Sequence, residues 1–215
     1  MNTEYLFSHK KILLALSSII TILFHNYAIG VGSFRPTEQE LKLLPPYCKP
    51  KAVNMHSNTG PFQKYRPLIK KWRNILGPDY DHAHHYCEAL QYINKTYNEA
   101  DQEKRNFYYK IALNNIAYME QHASKHFILN GEIAYYKGKI LEKTGKVPLA
   151  IKAYTKSIKL KPKFSAPYKS LFDIYIKLGM IDNAREVLKK GLKNNPKSKS
   201  LRKRISVIKK IKANK

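Results

Sequence analysis

The stretch Leu141-Glu-Lys-Thr-Gly145-Lys-Val-Pro-Leu-Ala150 has a counterpart 34 residues later, Tyr175-Ile-Lys-Leu-Gly179-Met-Ile-Asp-Asn-Ala184. The same shift carries Tyr154 onto Leu188, Ser157 onto Gly191 and Pro162 onto Pro196. A period of about 34 residues is the length of a unit made of two helices and a turn. Each paired position has a physical task. Gly145 and Gly179 end the first helix, where left-handed backbone strains glycine least. Ala150 and Ala184 let the second helix lie close to its neighbour, and Ser157 and Gly191 are small where the next unit packs. Pro162 and Pro196 cannot continue the second helix. The pattern predicts two helical hairpins, at 131–164 and 165–198.

At these residues the chain resembles the tetratricopeptide repeat (TPR) family, and the small Gly138 in the first helix extends the match. Two departures stand out: the early aromatic position holds Ala134 in one unit and Tyr168 in the other, and Phe172 replaces the small residue at the place of Gly138. The resemblance implies an all-α fold, a short right-handed superhelix. Two units alone do not bury both of their faces. The helix candidates at about 81–99 and 102–122 therefore read as a degenerate preceding pair, and a final helix at 198–212 as a cap. In that helix Leu201, Ile205, Ile208 and Ile211 form an apolar stripe on a basic surface. Together these elements predict one TPR-like domain over 79–215.

In the resembled family the first helix of each unit lines a concave groove that holds an extended peptide or a partner helix. By phase, the groove side here carries Tyr135, Lys139, Glu142, Lys143, Lys169, Asp173, Ile176 and Lys177. Lysines on successive units would grip a carboxylate or an acidic segment, with Tyr135 and Ile176 giving apolar contact. The asparagines of the family's carboxylate clamp are absent. The implied partner is a protein.

The rest of the 215 residues bounds where that domain works. Thirteen residues from Ile12 to Phe24 follow His9, Lys10 and Lys11 as an apolar run diluted only by Ser17, Ser18 and Thr21. As a helix it would span about 20 Å, short of a ~30 Å hydrocarbon core. A basic start, a short apolar run and small Ala28, Gly30 and Gly32 make a signal peptide over 1–30, and export to the periplasm is the expected destination. Secretion outright, or an uncleaved anchor, is the alternative. In an oxidising compartment Cys48 and Cys87, the only two cysteines, are expected to pair. Residues 31–78 read as an irregular leader. Thr37-Glu-Gln-Glu40 is a capping box opening a short helix that Pro45-Pro46 stops. Asn54 to Pro61 is turn-like, and the basic stretch Phe62–Leu76 carries Trp72 and a break at Pro67.

Chemistry has one place to reside. Asp81-His-Ala-His-His-Tyr-Cys-Glu88 offers metal-ligand residue types, with His82, His85 and Cys87 as the candidates. On a helix His82 and His85 share one face and His84 and Cys87 another, so no four side chains converge. A metal would need a further ligand, such as His56, His122 or His126; a metal-dependent protein centred here is the second alternative to the scaffold, and no cofactor is expected. There is no glycine-rich phosphate loop, G-x-S-x-G elbow or H-E-x-x-H helix, and carboxylates are few, so the sequence reads as a non-enzyme.

Charge is the remaining signal. Lys and Arg number 40 against 15 Asp and Glu, a net +25. From Arg185 to Lys215 there are 13 basic residues against Glu186 alone. Such an end attracts anionic lipid or acidic polysaccharide, while export argues against nucleic acid. The alternative is a solvated basic face, since ten of the thirteen are lysine.

Overall fold

A computed structural model describes residues 34–52 and 66–213. The signal peptide expected over 1–30, the turn over 54–61 and His56 lie outside the described residues.

The leader begins with α1 (Glu38–Lys42), capped reciprocally: the Thr37 hydroxyl accepts from the Glu40 amide at 3.2 Å, and the Glu40 carboxylate accepts from the Thr37 amide at 2.8 Å. A 3-10 helix, Pro46–Lys51, follows. Pro67 sits in the first turn of α2 (Arg66–Leu76), so it opens a helix where it was expected to break one. A proline is tolerated there because first-turn N–H groups have no helical partner. Gly77, at φ +86°, turns the chain into a second 3-10 helix, Pro78–His82.

From there the chain is helical hairpins. Helices α3 (Ala83–Lys95) and α4 (Gln102–His122) pair first, with Asp101 capping the Glu103 and Lys104 amides of α4. Next come α5 (Asn130–Lys143) with α6 (Val147–Leu160), then α7 (Ser165–Lys177) with α8 (Ile181–Asn194). Helix α9 (Lys199–Ala213) closes the array against α7 and α8. The fold is all-α, and its pairs pack in sequence.

The 34-residue pattern has a direct structural cause. Gly145 and Gly179 hold φ +75° and +70°. Each donates its amide back to the preceding helix, to Glu142 O and Ile176 O, and the next residue reaches one position further, to Leu141 O and Tyr175 O. This double return turns the chain with its carbonyls satisfied. Ala150 and Ala184 are wholly buried. Gly138 lies flat against Tyr154, where a Cβ would stand 2.6 Å from the ring. Gly191 meets Tyr168 and Leu201 in the same way, at 3.0 and 2.9 Å. The Ser157 hydroxyl donates to Gly131 O at 2.6 Å, so a small polar residue ties the second helix of its unit to the first. Ion pairs add to this: Glu120 of α4 reaches across to Lys137 and Lys156 of the next unit, and within that unit Lys161 pairs with Glu132.

The leader belongs to the core. Cys48 and Cys87 form a disulfide with Cα atoms 5.5 Å apart, and Phe34, Leu44 and Tyr47 pack with α3, α4 and the first turn of α5. The Tyr80 hydroxyl donates to Tyr47 O at 2.8 Å, and Glu40 holds Gln91 and Lys95. Lys51 is buried with its ammonium 4.3 Å over the Tyr80 ring, and burial pulls its pKa down to about 8.

Helix α9 differs from the expected stripe. Leu201 is fully buried and Val207 and Ile208 pack beside it, whereas Ile205 is exposed. The inward face runs through positions 201, 204, 207 and 208, which places 205 at its margin.

One buried carboxyl makes stability depend on pH. Glu88 lies in α3, and burial pushes it up to about 7, opposed by a hydrogen bond from Asn115. The unfolded chain releases this proton near the ordinary 4.5 and the folded one holds it to about 7, so folding stability falls as pH rises between those values. The cost at pH 8 is roughly 3 kcal/mol. Glu88→Gln is therefore expected to match the wild type near pH 4 and to exceed it increasingly up to pH 8 in urea unfolding. Parallel stability curves would refute this.

Candidate interaction groove

All eight residues read as groove-facing in the sequence converge on one cavity of about 520 Å³. Helix α5 contributes Tyr135, Lys139, Glu142 and Lys143, and α7 contributes Lys169, Asp173, Ile176 and Lys177. Four further residues complete the lining: Tyr154, Ser170, Phe172 and, from α9, Val207. Val207 lies one more period of 34 beyond Asp173, so the repeat phase extended once would have found it. Tyr154 and Phe172 pass through from the core, and nothing in their spacing separates lining from packing.

The two carboxylates are already engaged. Arg204 of α9 grips Asp173 with two parallel bonds, Nε to Oδ1 at 2.9 Å and Nη2 to Oδ2 at 2.5 Å. The same guanidinium lies 5.8 Å from the Phe172 ring centre. Glu142 accepts from the Tyr154 hydroxyl at 2.7 Å. The lysines divide differently. Lys139 donates to the Tyr97 hydroxyl at 2.5 Å and sits within 6.0 Å of the rings of Tyr97, Tyr135 and Tyr136. Lys143, Lys169 and Lys177 are exposed, and among the described residues none of them is in an ion pair. Tyr135 packs among Tyr136, Tyr154 and Phe164, and burial raises its hydroxyl pKa to about 12, leaving it a neutral donor. The groove thus presents unpaired cations beside an aromatic wall.

The histidine-rich helix start arranges otherwise than a metal centre would. Cys87 is bonded to Cys48, which removes its sulfur from the set His82, His85 and Cys87. The His85 Nδ1–H donates to Asn115 Oδ1 at 2.7 Å, and its ring stacks on Tyr118 at 3.6 Å. The other face of Tyr118 carries His122 at 3.8 Å, and the Tyr118 hydroxyl points to His82 Nδ1 at 3.3 Å. His84 is drawn down to about 4 by burial and by the neighbouring His85. Among the described residues no three His, Cys, Asp or Glu side chains converge as a metal site requires. The cluster packs α3 onto α4.

Residues 132–164 and 173–198 match the tetratricopeptide repeat. The matched repeats are α5–α6 and most of α7–α8, the two hairpins whose first helices line the cavity. No curated protein and no solved structure matches the chain. The repeats imply protein partners in general, and no catalytic family matches.

Proposed function

We propose that this protein is an exported scaffold of the cell envelope that holds an extended, acidic segment of a partner protein in the groove between α5, α7 and α9. The observation that carries this reading is the asymmetry of charge in the cavity. Asp173 and Glu142 are tied internally, by Arg204 and Tyr154, while Lys143, Lys169 and Lys177 face solvent. Lysines on two successive units at one helical spacing match carboxylates spaced along an extended chain. Tyr135 and Ile176 supply apolar contact between them, where desolvation strengthens the ion pairs. Export is supported by the apolar run Ile12–Phe24 behind two lysines and by the disulfide, which persists in an oxidising compartment.

A photoreactive amino acid placed at Ile176 in the native envelope tests this. It is expected to capture a discrete partner, and the same group at Lys152, on the outer face of α6, is not. Lys169→Glu with Lys177→Glu should reduce the Ile176 adduct about tenfold or more, since each reversal replaces an attraction by a repulsion. Partial persistence of wild-type capture at ~0.5 M salt is expected from the apolar contacts. Equal capture from both positions, or capture indifferent to the two reversals, would remove the groove from the account.

A further inference from the structure

The array ends in a surface the groove does not use. Helix α9 turns Leu201, Arg204, Val207 and Ile208 toward α7 and α8. Its opposite face carries Arg202, Lys203, Lys209 and Lys210, all exposed, with Ile205 at the margin, 39% exposed. Lys197 and Lys199 extend the same end of the molecule. Among the described residues no carboxylate neutralises these cations, although Arg202 donates its Nε–H to Pro196 O at 2.8 Å. Between Arg185 and Lys210 only Arg185 and Arg204 pair with a carboxylate among the described residues, with Asp182 and Asp173. Glu186 is the single acid of that stretch, and it lies in α8, outside the outer face of α9. Elsewhere, by contrast, Glu120, Glu132 and Glu40 each neutralise neighbouring lysines.

We infer that the outer face of α9 docks on an anionic phospholipid bilayer. The shape and chemistry of the face select this occupant. It is one helix side with no concavity, suited to a planar array of phosphates. It has no aromatic side chain on which a base or sugar ring could stack, which nucleic-acid and polysaccharide surfaces exploit. Its cations are mostly lysine, which reads phosphate as a point charge and requires no fixed geometry. Each basic residue near an anionic leaflet contributes about fivefold to the partition constant, so three together are worth roughly a hundredfold. Ile205 can settle at the headgroup boundary beside them. Docking this way leaves the opposite face of α9 free to line the groove with Val207 and to hold Asp173 with Arg204.

A local probe reads this contact on the full chain, whatever the apolar run at 12–24 does. An environment-sensitive dye is attached through Ser206→Cys on the outer face and, separately, through Lys152→Cys on α6. Vesicles of phosphatidylcholine alone are compared with vesicles containing 30% phosphatidylglycerol at about 50 mM salt. The Ser206→Cys dye is expected to respond to the anionic vesicles only, and the response to disappear at about 0.5 M salt. The Lys152→Cys dye is expected to remain silent. Adding Arg202→Gln, Lys203→Gln and Lys209→Gln should raise the lipid concentration needed for half response roughly a hundredfold, and the corresponding Glu reversals further still. Lys110→Gln, Lys125→Gln and Lys152→Gln, with the same change in net charge, should raise it only a few-fold. A Ser206→Cys dye that ignores anionic lipid, responds equally to neutral lipid, or loses its response equally with either triple set overturns the proposal. So does retention on immobilised alginate at 0.15 M salt without any response to vesicles.

Discussion

Cys48→Ser combined with Cys87→Ser is expected to lower stability by about 4 kcal/mol in denaturant unfolding, from the closure entropy of the loop the disulfide restrains. The two cysteines are 39 residues apart, so the unfolded chain regains a long segment of freedom when the bond is removed. The loss falls first on the leader. Cys48 and Tyr47 sit in a short 3-10 helix that has little structure of its own to retain it, beyond the Tyr80–Tyr47 hydrogen bond and the apolar contacts of Phe34 and Leu44. Trp72, the only tryptophan, lies edge-on to Tyr47 at 5.9 Å and reports the same event. Its fluorescence is expected to shift at lower denaturant than the helical circular dichroism signal once the bond is cut, by substitution or by reductant. A stability change below about 1 kcal/mol with coincident probes would mean that packing alone secures the leader.

Tyr154→Ala is expected to cost about 3–5 kcal/mol, the range for deleting a large buried aromatic. Tyr154 is fully buried, and its ring fills the space that Gly138 leaves open between the two helices of the first matched repeat. Neighbouring side chains cannot collapse into that space, because Gly138 has none and the helices are held by the turn at Gly145. Tyr154→Phe separates the two functions of the residue. It keeps the ring and removes the bond to Glu142, so it is expected to cost only about 1 kcal/mol. Glu142 is then released toward the groove, and binding of an acidic segment should weaken even though the fold is intact. Thermal unfolding of both variants, followed by partner capture with the Phe variant, distinguishes packing from groove charge. A loss for Tyr154→Ala no larger than that for Tyr154→Phe would show that the ring does not fill the interhelical space.

Much of the groove was legible because it inherits the period of the fold. Once Gly145 and Gly179 fix the turns, helical geometry determines which residues of α5 and α7 share a side. Tyr135, Lys139, Lys169 and Asp173 therefore reach one cavity without any knowledge of distances. Arg204 was not legible as the partner of Asp173. It stands among a dozen similar cations, and only the angle at which α9 meets α7 selects it. Ile205 shows the same limit from the other side: in the sequence it is one more apolar residue of a stripe, and a modest rotation of α9 leaves it outside. Pro67 was misread because proline breaks a helix interior and starts a helix equally well, and the sequence does not mark where the first turn lies. The histidine-rich helix start supplied suitable ligand types, but convergence depends on which neighbours fill the space between them, and here Tyr118 and Asn115 fill it.

By itself the sequence determined that this protein is a set of helical hairpins and which faces of their first helices look the same way. Those properties follow from local backbone preferences and a repeated spacing, both of which are written along one chain. Only the tertiary structure decided which groove charges are spent internally, which residues of α9 close the cavity and which face outward, and how the leader joins the core. Those outcomes depend on interhelical angles and on contacts between residues far apart in the chain, where shifts of a few ångströms separate an ion pair from a solvated lysine.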